Sequence, residues 1–377
     1  MQNNNQKQNI LFVLPTLRRG GAETQLIDLV NAIDQSQFNK TILIFDKNIE
    51  QLSRINRQTV DFHQCSRSTK YDVSIFWKIA KLIDEKEIDV IHCTIQVSML
   101  VAQMSALLAK RRPKILLAIH GTASFNRKYE LADKYLYRYL MKYCQRILFV
   151  CRKQAEYWIN KFPELEPLSV VIYNGVDTVF FNRQASIAQG LTLKQQLGIL
   201  KDTPVITCIA GFRKVKGHQY LIDAFARLPS GVNLLLVGDG ETKTLIEKQV
   251  KEKQLENRVK FLGELADVRP VLTITDVTVL SSKSEAFSMA MLESMSMGVP
   301  MVATDTGGLA EAIIPGETGD LVPPKDVEAL AKALSQYINN QDYSTNIGVK
   351  ARSLVVEKFS KKNMVKVTEK VLLEAQN

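Results

Sequence analysis

The chain has 377 residues, of which 46% are hydrophobic and 23% charged, and a net charge of +10. This composition excludes a mini-protein, a fibrous repeat and a globally disordered chain, and at about 150 residues per domain it predicts two domains. The basic excess is uneven, because residues 1–180 hold 25 Lys and Arg against 17 Asp and Glu, which leaves a net charge of only +2 for the rest. We therefore expect the first half to meet something anionic.

The cysteines and the N-terminal residues predict a cytoplasmic protein. The five cysteines contain no CxxC pair, which favours a reduced compartment. The opening MQNNNQKQN is polar and does not form the pattern of a secretory signal. Residues 93–109 are the most apolar stretch, but Gln96, Ser98, Gln103 and Ser105 interrupt it. We interpret this stretch as a buried core helix that is too short to span a membrane.

In chain order, the first half alternates short apolar segments with helical patterns. Residues 9–14 are predicted to form a strand, residues 18–21 a glycine-containing loop and residues 22–33 a helix. Further strands are predicted at residues 41–45, 90–93, 115–119, 147–151 and 169–173. Apolar strands separated by helices indicate a parallel sheet that is covered by helices on both faces.

The second half repeats this alternation after a polar stretch at residues 177–203, where we place the domain boundary. Its strands are predicted at residues 205–210, 233–237, 259–262, 277–280 and 300–303. The chain is therefore predicted to be an α/β protein with two doubly wound parallel sheets. Ligands of such sheets bind beyond the carboxyl ends of the strands, so the expected site is the cleft between the two domains.

Two glutamates follow the strand predicted at residues 277–280. Glu285 and Glu293 are eight residues apart, and a continuous helix would separate them by roughly 12 Å. This spacing exceeds the roughly 5–9.5 Å of a glycosidase carboxylate pair. It suits two ends of one extended ligand, with the helix N-terminal amides near Phe287 and Ser288 free for an anion between them. An ordinary amphipathic helix with a solvated glutamate is the alternative.

Two cations, Arg213 and Lys216, follow the strand predicted at residues 205–210. Beside glycines, such cations can neutralise a diphosphate, although a solvated basic turn has the same composition. The chain contains no Asp-x-Asp and no His/Cys cluster at metal-ligand spacing. We therefore expect no metal ion and no cofactor.

The first half offers two further candidates. Gly20 and Gly21 open the first predicted helix, where amides favour a phosphate, although a tight turn alone also demands glycine. His120 ends the strand predicted at residues 115–119 and would point toward the ligand, although a lone histidine is more often structural. No GxGxxG or GxxxxGK[ST] is present, which argues against dinucleotide and P-loop binding.

Residues 127–146 are rich in lysine, arginine and tyrosine. Tyr135, Tyr139 and Tyr143 are spaced at i, i+4 and i+8, and Lys134, Arg138 and Lys142 form the adjoining stripe. A helix of this kind can lie on an anionic membrane, with its tyrosines at the headgroups. The competing interpretation is a core-packed helix with a solvated basic edge.

Taken together, the motifs resemble the retaining glycosyltransferases of family 4. The resemblance extends from about residue 10 to residue 340. It rests on Gly20-Gly21-Ala22-Glu23, His120-Gly121, Asn174-Gly175-Val176-Asp177, Arg213, Lys216-Gly217-His218, Val237-Gly238-Asp239-Gly240, Phe261-Leu262-Gly263, the Glu285/Glu293 pair, Gly307-Gly308 and Gly316-Glu317-Thr318-Gly319. It implies the GT-B fold, in which two Rossmann-like domains face each other across a cleft.

The resemblance also implies the organisation of the chain and its substrates. Residues 1–180 would form the acceptor-binding domain and residues 181–359 the donor-binding domain, with a helix at 360–377 packing back on the first. The donor would be a nucleotide-diphosphate sugar, most often a UDP-sugar, and the anomeric configuration would be retained. The acceptor would be lipid-linked or a polysaccharide, in surface polysaccharide or glycolipid assembly at the inner face of the plasma membrane.

Individual roles follow from the same resemblance. Glu293 would bind the ribose, Arg213 and Lys216 the diphosphate, and Glu285 the hydroxyls of the transferred hexose or N-acetylhexosamine. The amides of Phe287 and Ser288, together with Gly21, would complete the phosphate site, and His120 would lie near the reacting sugar.

Two positions depart from the family pattern. Many members place the arginine five residues before the lysine, where this chain has Gly211, so the role is assigned to Arg213, three residues before Lys216. Ala286 stands after Glu285, where glycine is common.

Three other functions fit parts of the pattern. The same fold could glycosylate a small soluble acceptor, or it could epimerise a nucleotide sugar. A basic module that binds nucleic acid would fit the charge and the tyrosines but would not need the donor-site residues, so we expect no nucleic-acid partner.

Overall fold

The computed structural model describes residues 7–67, 69, 72–121 and 127–376. They divide into two compact units. Unit 1 holds the chain up to Gly175 together with the residues from Lys361 onward, and unit 2 is Val176–Ser360.

Unit 1 is built on a parallel sheet of seven strands in the order β3-β2-β1-β4-β5-β6-β7. The strands are β1 Gln8–Leu14, β2 Phe38–Ile44, β3 Val60–Gln64, β4 Val90–Thr94, β5 Lys114–Ile119, β6 Arg146–Phe149 and β7 Ser169–Val171. Its central strands are nearly continuous apolar runs with no exposed side chain between Ile10 and Leu14, as expected for a sheet covered on both faces.

Helices cover both faces of this sheet. They are α1 Gly21–Ala32, α2 Ser74–Glu85, α3 Gln96–Leu108, α4 Arg127–Ala132, α5 Arg138–Met141, α6 Arg152–Lys161 and, from the C-terminal segment, α14 Lys361–Gln376. Helix α14 contributes Met364, Val365 and Leu372 to the same apolar cluster as Leu26 and Val30 of α1. The side-chain amide of Gln8 donates to the carbonyl of Leu372 at 3.1 Å, which ties the end of the chain to its first strand.

Unit 2 has a parallel sheet of six strands in the order β10-β9-β8-β11-β12-β13. The strands are β8 Val205–Ile209, β9 Asn233–Val237, β10 Val259–Gly263, β11 Val277–Leu280, β12 Met301–Thr304 and β13 Gly319–Val322. Its helices are α7 Ile187–Gln196, α8 His218–Phe225, α9 Lys243–Glu252, α10 Arg269–Thr273, α11 Met289–Ser296, α12 Val327–Asn339 and α13 Gln341–Lys358.

The polar stretch at residues 177–203, where the domain boundary was predicted, is folded into unit 2. Unit 2 begins at Val176, five residues before the expected boundary, because the Val176 amide donates to the carbonyl of Phe359 at 3.0 Å. Within the stretch, α7 packs on α10, and Ser186 Oγ lies 3.0 Å from Thr273 Oγ1. The stretch is polar because its helix α7 lies on the surface and has only one buried position, Gly190.

Strands β3 and β13 were not predicted from the sequence. Strand β3 is an edge strand that carries Asp61, His63 and Gln64, so it lacks the apolar run used for the prediction. Strand β13 is four residues long and begins with glycine. Short or polar edge strands are formed by pairing with a neighbour, which a local pattern does not record.

The apolar stretch at residues 93–109 is divided between two elements. Cys93 and Thr94 end β4, Ile95 adopts a left-handed φ of 66°, and the helix starts at Gln96. The helix is buried on one side only, since Leu107 is 68% exposed. None of the helices in the described ranges is both long enough and apolar enough to cross a bilayer.

Candidate functional site

Two loops at the carboxyl edge of the unit 2 sheet carry the predicted donor-site residues. The first connects β8 to α8 and contains Arg213, followed by the 3-10 turn Lys214–Lys216. The second connects β11 to α11 and contains Glu285. Strands β8 and β11 are neighbours in the sheet, so parallel pairing brings the two loops to the same place.

Lys216 and Glu285 form a bidentate ion pair between these loops. Lys216 Nζ lies 2.7 Å from both Oε1 and Oε2 of Glu285. The two side chains are only 14% and 9% exposed, so salt screens the pair weakly. Charge-assisted hydrogen bonds of this kind are about twice as strong as neutral ones. The pair fixes both side chains at one point of the carboxyl edge.

Backbone contacts hold the two loops together beneath the ion pair. Ser281 Oγ lies 3.1 Å from the carbonyl oxygens of both Lys216 and Gly217 and shares its one proton between them. The Lys283 amide donates to the carbonyl of Val215 at 2.7 Å. Gly217 has a φ of +65°, and a Cβ atom there would lie 2.2 Å from the Ser281 carbonyl oxygen. Only glycine therefore permits this approach.

A third loop supports Glu285 from its other side. The Gly308 amide donates to the carbonyl of Ala286 at 2.7 Å. Gly307 has a φ of +55°, and a Cβ atom there would lie only 1.6 Å from the carbonyl oxygen of Glu285. The Gly307-Gly308 pair thus sets the backbone position of Glu285.

Helix α11 begins later than the Glu285/Glu293 spacing suggested. Ser288 is its N-cap, and Ser288 Oγ accepts from the Met291 amide at 3.4 Å. Residues 285–288 are not helical, so the predicted 12 Å separation, which assumed a helix throughout, is wrong in its premise. Glu293 lies one turn into the helix and is half-buried.

Because α11 begins later than predicted, the backbone amides at its N-terminus that could bind an anion belong to later residues. The first-turn N–H groups of Met289 and Ala290 have no intrahelical acceptor, whereas the prediction named Phe287 and Ser288. The Phe287 side chain is buried, with its ring centroid 5.1 Å from that of Phe359. Phe287 therefore anchors the loop, and the helix dipole favours negative charge just beyond Ser288.

Arg213 is exposed at the edge of the site. Among the described residues its guanidinium takes part in no ion pair. The Lys216 amide donates to the Arg213 carbonyl at 2.8 Å, which closes the turn between them. Arg213 is thus a cation beside the neutralised Lys216–Glu285 pair.

His218 lies buried directly beneath this turn. Its ring stacks on Phe212, with centroids 4.4 Å apart and planes at 14°. Burial, assisted by the charge of Lys216, lowers the pKa of His218 to about 4. His218 is therefore neutral at physiological pH. From the sequence it was named only as part of the motif Lys216-Gly217-His218, with no role of its own.

Gly21 and His120 belong to unit 1, at the carboxyl edge of its sheet. Gly21 is the first residue of α1, which follows β1, and His120 directly follows β5, two strands away. Burial lowers the pKa of His120 to about 4, so the imidazole is neutral. Near Gly21, the Glu23 carboxylate folds back over the helix start, since a Cβ atom on Gly20 would lie 2.4 Å from Glu23 Oε2.

The tyrosine-rich segment of unit 1 is helical, with a π-helical turn at Asp133–Tyr137 between α4 and α5. Its aromatic face is exposed, with Tyr135 at 64%, Tyr139 at 53% and Tyr143 at 80%. Lys134 Nζ lies 5.1 Å from the ring centroid of Tyr135. Arg138 is bonded to Glu164, and Lys142 Nζ lies 3.7 Å from the same carboxylate. The segment also packs on the core through Met141, with Tyr137 and Leu140 against the same cluster, so the three tyrosines lie on its outward face.

No group of three or more His, Cys, Asp or Glu side chains in the described part of the chain is arranged to hold a metal ion. None of the five cysteines is in a disulfide.

The support of Glu285 by Gly307 can be tested with matched glycine variants. Gly316 has a φ of +73° but open space around its Cβ position. We expect Gly316→Ala to lose about 1 kcal/mol of unfolding free energy from the backbone conformation alone. Gly307→Ala should lose about 2 kcal/mol more, because the added methyl must displace Glu285. Urea denaturation of both variants measures this difference, and equal losses would contradict the close contact.

The neutral state of His218 predicts a pH dependence of stability. The unfolded chain binds a proton near pH 6.5, but folded His218 resists protonation down to about pH 4. Stability should therefore fall as the pH falls between these values, by about 3 kcal/mol from this group. Denaturation of His218→Gln at several pH values should show a shallower fall. His63→Gln, which changes a half-buried histidine, should alter the slope less. An unchanged slope in His218→Gln would refute the assignment.

Comparison with known proteins shows the family of this chain. The family described as Glycosyl transferases group 1 matches residues 191–354, and Glycosyltransferase Family 4 matches residues 19–180. N-acetyl-alpha-D-glucosaminyl L-malate synthase of Bacillus anthracis is 29% identical over 320 residues, covering 83% of this chain and 82% of the relative. Lipopolysaccharide core biosynthesis glycosyltransferase LpsE of Rhizobium meliloti is 36% identical over 160 residues, covering 42% of this chain and 47% of the relative.

Solved structures agree on the fold. Anabaena HepE, crystallised in complex with UDP and glucose, has a TM-score of 0.86 at 23% identity, covering 96% of this chain and 98% of that one. Sucrose-phosphate synthase of Thermosynechococcus elongatus has a TM-score of 0.82 at 19% identity, covering 98% and 99%. With both halves of the chain matched by glycosyltransferase families, the protein belongs to the family 4 glycosyltransferases and has their GT-B fold.

Proposed function

We propose that this glycosyltransferase moves a hexose or N-acetylhexosamine from a UDP-sugar to a lipid-linked or polysaccharide acceptor, with retention of the anomeric configuration and without a metal ion. The observation that carries the proposal is the meeting of Lys216 and Glu285 at the carboxyl edge of the unit 2 sheet, 2.7 Å apart. A cation for phosphate and a carboxylate for sugar hydroxyls stand there side by side.

The donor would bind along this edge. Glu293 would accept hydrogen bonds from the ribose hydroxyls and Glu285 from the hydroxyls of the sugar. Arg213, Lys216 and the first-turn amides of α11 would bind the diphosphate between them. Charge that develops on the departing diphosphate would then meet prepositioned cations and amide dipoles, which is the role a metal ion has in other transferases.

Two residues of unit 1, Gly21 and His120, would also take part. Gly21 would offer a backbone amide to the phosphates once the Glu23 carboxylate beside it, which is paired with Arg18 at 3.2 Å, turns away. His120 would lie near the reacting sugar. Because burial lowers its pKa to about 4, His120 would act as a neutral hydrogen-bonding group and not as a cation.

Two comparisons support the choice of donor and process. Anabaena HepE is described in complexes with UDP, with UDP and glucose, and with UDP-glucose. Two relatives from Rhizobium species are named as lipopolysaccharide core biosynthesis enzymes. We therefore favour uridine as the base and surface glycan assembly as the process, with the enzyme in the cytoplasm at the inner face of the plasma membrane.

The exposed face of residues 130–143 supports peripheral membrane contact. It presents three tyrosines beside Lys134 and beside Arg138 and Lys142, which share the Glu164 carboxylate. Leu131 and Leu136 are 51% and 43% exposed. Aromatic and aliphatic side chains next to cations suit the headgroup region of an anionic bilayer.

A small soluble acceptor is the second candidate. The relative from Bacillus anthracis is named as a synthase of N-acetyl-alpha-D-glucosaminyl L-malate, whose acceptor part is a dicarboxylic acid. The net charge of +8 on residues 1–180 would suit such an acid as well as it suits a phospholipid.

The donor site predicts nucleotide binding that a chelator does not affect. We expect UDP and one or more UDP-sugars to raise the melting temperature, equally with and without EDTA, and GDP and ADP to have smaller effects. Lys216→Ala and Glu293→Ala should each weaken UDP-sugar binding in calorimetry by about ten- to a hundred-fold, the loss expected for a charged hydrogen bond.

Lys214 provides the matched control for this experiment. It lies in the same 3-10 turn as Lys216 but is exposed, so Lys214→Ala should bind within about twofold of the wild type. Equal binding by all variants would refute the site, stabilisation lost in EDTA would refute metal independence, and no stabilisation by any nucleotide would refute the proposed donor.

The exposed tyrosine face predicts salt-sensitive binding to anionic vesicles. Lys134→Glu with Lys142→Glu should lower binding to phosphatidylglycerol-containing liposomes by about tenfold or more, since each basic residue contributes about 1 kcal/mol near such a surface. The measurement is liposome co-sedimentation at several salt concentrations.

The control makes the same charge change on α14. Lys362 and Lys366 are exposed there, and Lys362→Glu with Lys366→Glu should bind vesicles nearly as well as the wild type. An equal loss of vesicle binding in both double variants would mean that net charge alone, and not the tyrosine face, causes the binding. Absence of binding by the wild type would remove membrane contact and favour the soluble acceptor.

A further inference from the structure

The two side chains assigned to different parts of the donor are bonded to each other. Lys216 Nζ is 2.7 Å from both carboxylate oxygens of Glu285, and both side chains are largely buried. We propose that Glu285 is a specificity residue, an inference that rests on the proposed donor site. By binding Lys216, Glu285 makes the site bind a nucleotide diphosphate without a sugar less tightly than one that carries a sugar.

The proposal follows from counting hydrogen bonds. The ammonium group of Lys216 has three N–H donors, and the two Glu285 oxygens occupy two of them. A diphosphate that takes more than the one remaining donor therefore leaves a Glu285 oxygen buried without its partner. Leaving a buried acceptor unsatisfied costs its full desolvation, and more so for a charged group. Binding of UDP alone therefore carries a penalty at Glu285.

A donor that carries its sugar removes this penalty. Sugar hydroxyls donate to the Glu285 oxygens and replace the ammonium group, while Lys216 donates to the phosphate. The exchange conserves hydrogen bonds on both side chains. Glu285 thus couples recognition of the sugar to recognition of the diphosphate through one shared partner.

The surroundings confine the exchange to the side chains. Both loops are fixed through their backbones, by Ser281 Oγ on the Lys216 carbonyl and by the Gly308 amide on the Ala286 carbonyl. The flexible stem of lysine can turn without moving these bonds. Until the pair opens, the exposed guanidinium of Arg213, which takes part in no ion pair among the described residues, is one cation that can meet the phosphates.

The same device favours release of the product. Once the sugar has left, Glu285 loses its hydroxyl donors and competes again for Lys216, so the free nucleotide diphosphate is bound less tightly than the donor was.

The test is the affinity for UDP alone. Glu285→Gln removes the charge and keeps the shape, so Lys216 becomes free for phosphate. We expect this variant to bind UDP about tenfold more tightly than the wild type in calorimetry, the factor for one charge-assisted hydrogen bond regained. The preference for UDP-glucose over UDP should shrink by a similar factor, and transfer should fall. Unchanged or weaker UDP binding would overturn the proposal.

Further variants separate the coupling from general electrostatics. Glu256→Gln removes an equal charge from an exposed position just before β10, at the amino edge of the sheet. This variant should leave the affinity for UDP unchanged. Combined with Lys216→Met, Glu285→Gln should no longer tighten UDP binding, because the released cation is absent. A gain that persists in the double variant would overturn the coupling. Glu285→Ala repeats the test should the glutamine variant fail to fold.

Failure of the proposed function gives a different result. A wild-type protein that binds neither UDP nor UDP-glucose has no donor site of this kind, and the specificity proposal falls with it. A wild-type protein that binds both, with no change in Glu285→Gln, refutes the specificity proposal alone.

Discussion

The close approach of three loops at the carboxyl edge of the unit 2 sheet is the constraint on which this site depends. Gly217 and Gly307 let backbone come so near to Ser281 and Glu285 that a methyl group at either position would overlap a carbonyl oxygen. Lys216 and Glu285 are 69 residues apart in the chain, yet their side chains meet at 2.7 Å. Backbone contacts between the loops therefore position the two charged side chains. The loops can make these contacts because their strands, β8 and β11, are neighbours in the sheet.

The ion pair has an electrostatic meaning that neither residue has alone. Burying an ion pair costs desolvation that the attraction between its members only partly offsets, so such a pair is weak evidence of a purely stabilising role. Its position at the edge of a glycosyltransferase sheet instead suits groups that exchange partners when a ligand arrives. The neutral ring of His218 beneath the turn adds no charge to oppose Lys216.

Unit 1 contributes a different kind of surface. Its tyrosine segment is interrupted by a π-helical turn at Asp133–Tyr137, which still leaves Tyr135 and Tyr139 exposed beside Lys134. Helical spacing alone could not decide between a buried and an exposed stripe. The structure resolves the choice because Met141 fills the core on the opposite side, so the tyrosines face outward.

The sequence by itself determined the fold class and most central strands, because buried parallel strands are apolar runs that local patterns record. It also named Arg213, Lys216, Glu285 and Glu293 through their motifs. Only the tertiary structure decided that Lys216 and Glu285 are bonded, that α11 starts after Ser288 and that the polar stretch at residues 177–203 is folded into unit 2. Those outcomes depend on contacts between residues far apart in the chain, such as the Gly307 backbone against Glu285, and no local pattern of residues encodes such contacts.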